Sequence, residues 1–200
     1  MTRVSDSEFE SAKQSAIYEY HLGNYHQAVK TAANYAKKLR LIQQTGPIAV
    51  LGGEISERRL KWVARVRPAI LDGVPGQVLE TLRDELAVDC LFNFPDRRRW
   101  PESERARYPF ERAIIKEMLF ASAVFHSDVE VWKETGLVPS VRIRGFRDGS
   151  CDCCAALHAQ VYSLEDVPEL PYQHCQNGEL GCRCSAVPAD YITRDRMPLP

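Results

Sequence analysis

The sequence predicts a mainly α-helical protein, in which a helical body is followed by a small, cysteine-rich module that contains β structure. Apolar residues recur at helical spacing through most of the first 136 residues, and the spacing changes to alternation after Gly136. Six of the seven cysteines then fall between Cys151 and Cys184. We therefore expect a helical domain over residues 1–136 and a cysteine-rich module over residues 137–200.

The first two predicted helices form an antiparallel hairpin over residues 7–44. Ser7 begins a capping box, in which the Glu10 side chain reaches back to the amide of the N-cap residue. Gly23 interrupts the helical pattern, and Asn24 is a suitable N-cap for the second helix.

This predicted hairpin resembles one tetratricopeptide unit. Small residues at the matching positions let the two helices approach closely. The sequence holds no second copy, and a single unit does not build the solenoid that makes this repeat a peptide binder. We therefore expect an ordinary packed hairpin. The matching residues are Ala16, Tyr18, Gly23, Tyr25, Ala28 and Val29.

Three more helices are predicted in the helical domain. Ser56 caps the first of them, which ends or bends at Pro68. The next follows the break at Gly73–Gly76 and carries Cys90 on its inner face as a small buried residue. The last runs from about Pro109–His126, with a histidine in its C-terminal turn, where a partly charged imidazole suits the helix dipole.

A strand is predicted at the start of the cysteine-rich module. Val141 and Ile143 alternate with Arg142 and Arg144, which places the apolar pair on one face and the arginines on the other. The strand leads directly into the first cysteines.

The composition is that of a soluble globular protein, with 44% hydrophobic residues, 26% charged residues and a net charge of −1. Charges so nearly balanced predict no strong attraction to nucleic acid or to an anionic membrane. The N-terminal segment has no apolar run typical of a signal peptide, and no stretch approaches the roughly 18 consecutive apolar residues of a membrane span. These features predict a cytoplasmic protein, in which stable disulfides are uncommon.

The cysteine spacing predicts one structural Zn²⁺ site. Cys151 and Cys154 have the C-x2-C spacing of a zinc knuckle. Cys182 and Cys184 lie on the same side of an extended backbone, and Cys175 precedes them in the same segment. A structural zinc takes four ligands, so these five cysteines exceed one site, and the spacing leaves open which four ligate.

Three neighbouring residues are weaker candidates. Cys153 would point away from a knuckle formed by the cysteines on either side, so we expect it not to ligate. His158 would reach the site only if a helix begins at Cys154. His174 is an outside candidate for the second pair of ligands.

The cysteine-rich stretch resembles the C-terminal motif of phage Mu F-like minor head proteins. In that family a C-x2-C and a Leu-(His/Asp)-Gly stretch precede a proline-rich turn and a His-Pro-x-Cys-Arg-Cys end. Ala159 stands where the family usually has glycine, and an extra loop separates His174 and Cys175 from Cys182. The resemblance rests on Asp148, Cys151, Cys154, Leu157, His158, Val161, Tyr162, Val167, Pro168, Leu170, Pro171, Cys182, Arg183, Cys184 and Pro188.

The resemblance implies a head-morphogenesis protein that is associated with the portal of a tailed phage. Its protein partners would then be portal or capsid components, and it would be found in the cytoplasm or with the virion. Carried over residue by residue, the motif implies Cys151, Cys154, Cys182 and Cys184 as ligands.

The common catalytic signatures H-E-x-x-H and G-x-S-x-G and the phosphate-binding loop are missing from the sequence. We therefore expect a non-enzymatic, zinc-stabilised protein that acts by binding other proteins. One alternative hypothesis is a thiol redox enzyme or sensor that uses Cys151, Cys153 and Cys154. Another is a nucleic-acid-binding zinc protein that uses a group of arginines. These are Arg97, Arg98, Arg99, Arg142, Arg144 and Arg147.

Overall fold

The computed structural model describes residues 6–42, 57–92, 110–145, 151–176, 181–182 and 184–190. Within these ranges the chain is mainly helical, with a cysteine-rich C-terminal region and a small antiparallel sheet, which confirms the predicted mainly α fold class. No helix in these ranges is long and apolar enough to cross a bilayer. The helices are α1 Asp6–His21, α2 Tyr25–Ile42, α3 Glu57–Val63, α4 Gly76–Phe92, α5 Arg112–Thr135 and α6 Asp152–Leu157, and the strands are β1 Ser140–Arg144, β2 Val161–Ser163 and β3 Ser185–Pro188.

A glycine in the left-handed region ends α1. Gly23 has a φ of 77°, and its amide donates to the Tyr20 carbonyl at 3.0 Å. The Asn24 amide donates to the Glu19 carbonyl at 2.9 Å. This pair of hydrogen bonds is a Schellman motif, which satisfies carbonyls that the helix end would otherwise leave unpaired. α2 then begins at Tyr25, directly after the predicted cap.

The predicted hairpin forms, but the capping box at its start was wrong. α1 begins at Asp6, so Ser7 lies inside the helix. The Glu10 carboxylate lies 3.3 Å from the Lys13 ammonium, one turn onward. Ala16 in α1 and Ala28 in α2 are completely buried. Small side chains at these positions allow the two helices to pack closely.

One compact unit of the chain comprises residues 1–66 and 74–99. α4 packs against α1, α2 and α3, and the core of the unit includes the completely buried Leu60, Leu79 and Leu82. α3 ends at Val63, before the predicted stop at Pro68, although the Val66 amide still donates to the Trp62 carbonyl at 2.9 Å.

Two further predictions for this part of the chain have different outcomes. Cys90 is half-buried rather than buried. Ser56 lies outside the described residues, so its capping role stays a prediction.

A second compact unit comprises residues 67–73 and 100–200. It includes α5, which the sequence-based boundary at residue 136 had placed in the helical domain. The physical reason is the core that α5 helps to build. Phe125 from α5 packs in one apolar cluster with Ile143 of β1, Leu157, Leu170 and three of the cysteines.

The long helix α5 is longer than predicted. It continues to Thr135 and ends at Gly136, whose φ is 63° and whose amide donates to the Trp132 carbonyl at 3.0 Å. His126 therefore lies inside the helix and not in its last turn, so its predicted role at the helix dipole was wrong. Its Nε2 lies 3.3 Å from Oε1 of Glu169.

The sheet has the order β2–β1–β3, and both pairings are antiparallel. β1 is therefore central: Val141 faces Tyr162 of β2, and Ile143 faces Ala186 of β3. Val141 and Ile143 are completely buried and Arg144 is exposed, which confirms the predicted alternation.

Candidate metal centre

Five cysteine sulfurs from separate parts of the second unit lie together and form two groups. Cys151, Cys154 and Cys175 make the first group, and Cys154, Cys182 and Cys184 make the second. Within each group the sulfur atoms all lie within 4.8 Å of one another. Cys154 belongs to both groups. The two groups could hold a metal ion.

The first group is positioned by α6 and by a turn. Cys151 directly precedes α6, and Cys154 lies in its first turn. The start of this helix therefore places the two cysteines of the C-x2-C pair. Cys175 closes a turn in which its own amide donates to the Tyr172 carbonyl at 3.0 Å.

The second group is positioned by the sheet. Cys184 directly precedes β3, whose first residue, Ser185, pairs with Arg144 at the end of β1. Cys182 follows Gly181, which has a φ of 64°. A Cβ at Gly181 would lie 2.7 Å from Cγ2 of Ile114 on α5, so this position requires glycine both for its backbone angle and for its close approach to the helix.

Two sulfur–sulfur distances match the geometry of zinc. Sγ of Cys151 lies 3.7 Å from Sγ of Cys175, and Sγ of Cys154 lies 3.9 Å from Sγ of Cys182. A tetrahedral zinc with bonds of about 2.3 Å to sulfur places its ligand sulfurs about 3.8 Å apart. A disulfide would require about 2.05 Å. None of the seven cysteines, all of which lie within the described residues, forms a disulfide.

Backbone amides point at two of these sulfurs. The Gln176 amide donates to Sγ of Cys151 at 3.3 Å, and the Tyr172 amide donates to Sγ of Cys182 at 3.1 Å. An N–H group aimed at sulfur stabilises the thiolate, which is the form that binds a metal. The arrangement therefore supplies both sulfurs that could hold a metal ion and the amide groups that would stabilise their negative charge.

The thiol pKa values reflect these contacts. Partial burial acts to raise the pKa of the Cys151 thiol, but the amides of Gln176 and Cys154 outweigh it and lower the pKa to about 7. The hydrogen bond with the Cys184 side chain lowers the pKa of Cys182 to about 6, against the opposing effect of burial. These contacts therefore favour the thiolate form of both side chains.

The remaining two buried thiols shift in the other direction. Burial raises the pKa of Cys154, and the negative charge at Cys182 raises it further. The hydrogen bond with Cys182 and then burial raise the pKa of Cys184. Without a cation, a thiolate at either position is costly because it is surrounded by the apolar core.

Other residues considered from the sequence lie outside both groups. Cys153 is half-buried and belongs to neither. His158 Nδ1 accepts a hydrogen bond from the Gly145 amide at 3.1 Å. His174 is exposed, with its Nε2 3.1 Å from Gln173 Nε2 and its ring against Tyr172.

Sequence reasoning missed the residues that support the ligands. The amides of Tyr172 and Gln176 carry no side-chain signal, although their positions next to Pro171 and Cys175 mark a turn. Gly181 could have been found, because a glycine directly before a closely spaced cysteine pair is typical of a tight metal-binding turn.

The arginines of the nucleic-acid hypothesis are only partly described. Arg142 is half-buried and Arg144 is exposed on β1, while Arg97–Arg99 and Arg147 lie outside the described residues. That hypothesis therefore stays a prediction.

Comparisons with protein-family models, with curated proteins and with solved structures give no match to this chain. The resemblance to phage head-morphogenesis proteins therefore also stays a prediction, and the conclusions below depend on the geometry of the cysteines.

Proposed function

We propose that the second unit binds one structural Zn²⁺ through four of the five clustered cysteines. The observation that carries this proposal is the convergence of the five sulfurs in two groups that share Cys154, with two pairs at the sulfur–sulfur spacing of tetrahedral zinc. Thiolates are soft ligands that suit zinc, and four of them leave no position open for a substrate.

Neither group alone has the four sulfurs that zinc takes. Four of the five possible sets of four sulfurs include Cys154, and the remaining set lacks the one sulfur that lies within 4.8 Å of all the others. Cys154 is then the indispensable ligand. The other four cysteines are more replaceable, because each lies in only one group and a fifth sulfur remains nearby.

The role proposed for this ion is to hold the unit together. The cysteine groups sit in the apolar cluster that also contains Phe125, Ile143 and Leu170. They join the start of α6, the turn at Cys175 and the start of β3. Binding energy at such a site is folding energy, since the unfolded chain holds no preformed site.

We further propose that the zinc-stabilised unit acts by binding other proteins, in the manner of phage head-assembly proteins. Two observations support this role beside the sequence resemblance. The sequence has no common catalytic signature, and the unit exposes large apolar side chains. Leu137 is 82% exposed and Val161 of β2 is 52% exposed.

The zinc proposal is tested by metal analysis of protein purified under reducing conditions. We expect about one zinc per chain, lost on Cys154→Ser and retained on Cys153→Ser, a matched control one residue away that lies in neither group. Metal-free protein that is folded and carries fast-reacting thiols would overturn the proposal and favour the redox alternative.

The assembly proposal needs a separate measurement. The chain should co-purify with a portal or capsid protein. The Cys153→Ser variant should keep this association, and the Cys154→Ser variant should lose it. Zinc binding without any such association would leave the metal site standing and would reject the assembly role.

A further inference from the structure

The two cysteine groups share a single sulfur, and this sharing has a consequence beyond one zinc. We propose that the cluster also accepts two univalent copper ions in place of one Zn²⁺, with the Cys154 thiolate bridging them. The inference deepens the proposed zinc site and rests on the same five sulfurs acting as ligands.

The coordination number of each metal separates the two modes of binding. Zinc takes four ligands and has to draw on both groups. Univalent copper is a soft ion that prefers thiolates and is satisfied by three of them in a plane. Each group offers three sulfurs within 4.8 Å of one another. Each group is therefore complete for one copper ion, although neither is complete for zinc.

The distances are compatible with the planar arrangement. Three sulfurs around one ion at about 2.3 Å lie about 4.0 Å apart in a plane, taking the metal–sulfur bond length of zinc sites. Within the first group Cys151 and Cys175 lie 3.7 Å apart, and within the second group Cys154 and Cys182 lie 3.9 Å apart. Both pairs therefore already lie close to the spacing that a planar site of three sulfurs requires.

Charge and surroundings support the exchange as well. Two univalent ions carry the same charge as one Zn²⁺, so the net charge of the cluster changes only by the proton that the fifth cysteine loses when it becomes a ligand. Cys154, Cys182 and Cys184 are buried in the apolar core, where water competes poorly for a soft ion. Cys154 is the one sulfur that lies within reach of all four others, which is the requirement for a bridging ligand.

The test is an anaerobic titration of zinc-loaded and metal-free protein with univalent copper supplied as its acetonitrile complex, in the presence of a chromophoric copper chelator. We expect saturation at two copper ions per chain with release of the zinc. The matched control, Cys90→Ser combined with Cys153→Ser, should also bind two, because neither residue belongs to a group. Saturation of the wild-type protein at one copper ion would overturn the proposal. A lower copper stoichiometry in this control than in the wild type would also overturn it.

Paired substitutions then separate the two groups. Removing Cys151 and Cys175 together, or Cys182 and Cys184 together, should leave one copper per chain and no zinc. Cys154→Ser should lower the affinity for both copper ions together. If the two sites were independent, the substitution would affect the binding of only one ion.

Copper X-ray absorption on the wild-type protein keeps the test valid if a variant fails to fold. Three sulfurs per copper and a second copper closer than about 4.6 Å, twice the metal–sulfur bond, are expected for a shared sulfur. Two sulfurs per copper with no second copper would refute the bridge.

The outcomes for the two metals are distinguishable. One zinc with only one copper rejects this inference and leaves the zinc proposal intact. Two copper ions without zinc binding rejects the zinc proposal alone.

Discussion

Replacing Gly181 by alanine tests how the close approach of the chain to α5 positions Cys182. The substitution has two costs. A left-handed backbone angle costs a non-glycine residue about 1–2 kcal/mol. The new Cβ would also lie 2.7 Å from Cγ2 of Ile114 and 3.2 Å from Sδ of Met118, and overpacking of this kind costs about 1–3 kcal/mol. Gly181→Ala should therefore lower the free energy of unfolding by about 2–5 kcal/mol.

Gly136 provides the matched control, because its φ of 63° is nearly the same and nothing lies within 4 Å of its Cβ position. Gly136→Ala should therefore lose only the stability that the left-handed backbone angle costs. Urea unfolding followed by tryptophan fluorescence, at one fixed concentration of free zinc, measures both variants.

The contact with Ile114 can be isolated in the same assay. Ile114→Ala removes Cγ2, so combining it with Gly181→Ala should recover part of the stability that Gly181→Ala loses. Ile114→Val keeps Cγ2 and should recover less of that stability. Equal losses for Gly181→Ala and Gly136→Ala would refute the packing argument.

Three further predictions concern the core, a backbone contact and the thiols. Ile143→Ala should lower the free energy of unfolding by about 2–5 kcal/mol and Ile143→Val by about 0.5–1.5 kcal/mol, because the side chain is completely buried; equal urea midpoints would contradict this. Arg83 Nε donates to the Val66 carbonyl at 3.0 Å, so Arg83→Ala should cost about 1–3 kcal/mol in thermal or urea unfolding, and Arg83→Lys should cost less. In metal-free protein the alkylation rate of Cys151 should rise as the pH rises through about 7, the pKa of its thiol, because a lowered pKa leaves the reactive thiolate present above that pH. Cys154, whose pKa is raised by burial, should be alkylated slowly at the same pH. Mass spectrometry of the alkylated peptides measures both rates, and faster alkylation of Cys154 than of Cys151 would contradict the prediction.

Much of the fold could be predicted from local patterns. The break at Gly23 is visible in the sequence because a left-handed helix end favours glycine. The burial of Val141 and Ile143 follows from the period of two in a strand. In both places the information lies in adjacent residues, so no knowledge of distant contacts was needed.

The errors have the opposite origin. The length of α5 and the unit to which it belongs depend on Phe125 packing with residues from β1 and from the cysteine segments, which the periodicity of the helix does not encode. His126 was misplaced because the helix continues through residues 127–135 and stops only at Gly136.

The candidate site shows the same division. Spacing predicted that Cys151 and Cys154 would lie together, and the alternation of an extended chain predicted the same for Cys182 and Cys184. The sharing of Cys154 between two groups could not be predicted, because it depends on how α6 and the start of β3 meet in the core.

The strand order β2–β1–β3 also affects how the molecule avoids aggregation. The strand that carries the completely buried Val141 and Ile143 lies between two others, and both outer strands are poor templates for a further chain. β2 has only three residues, and β3 ends in Pro188, which has no amide to donate. A chain that keeps this sheet would thus offer little strand edge for another copy to extend, whether or not its cysteines hold a metal, which reduces the risk of fibril-like association.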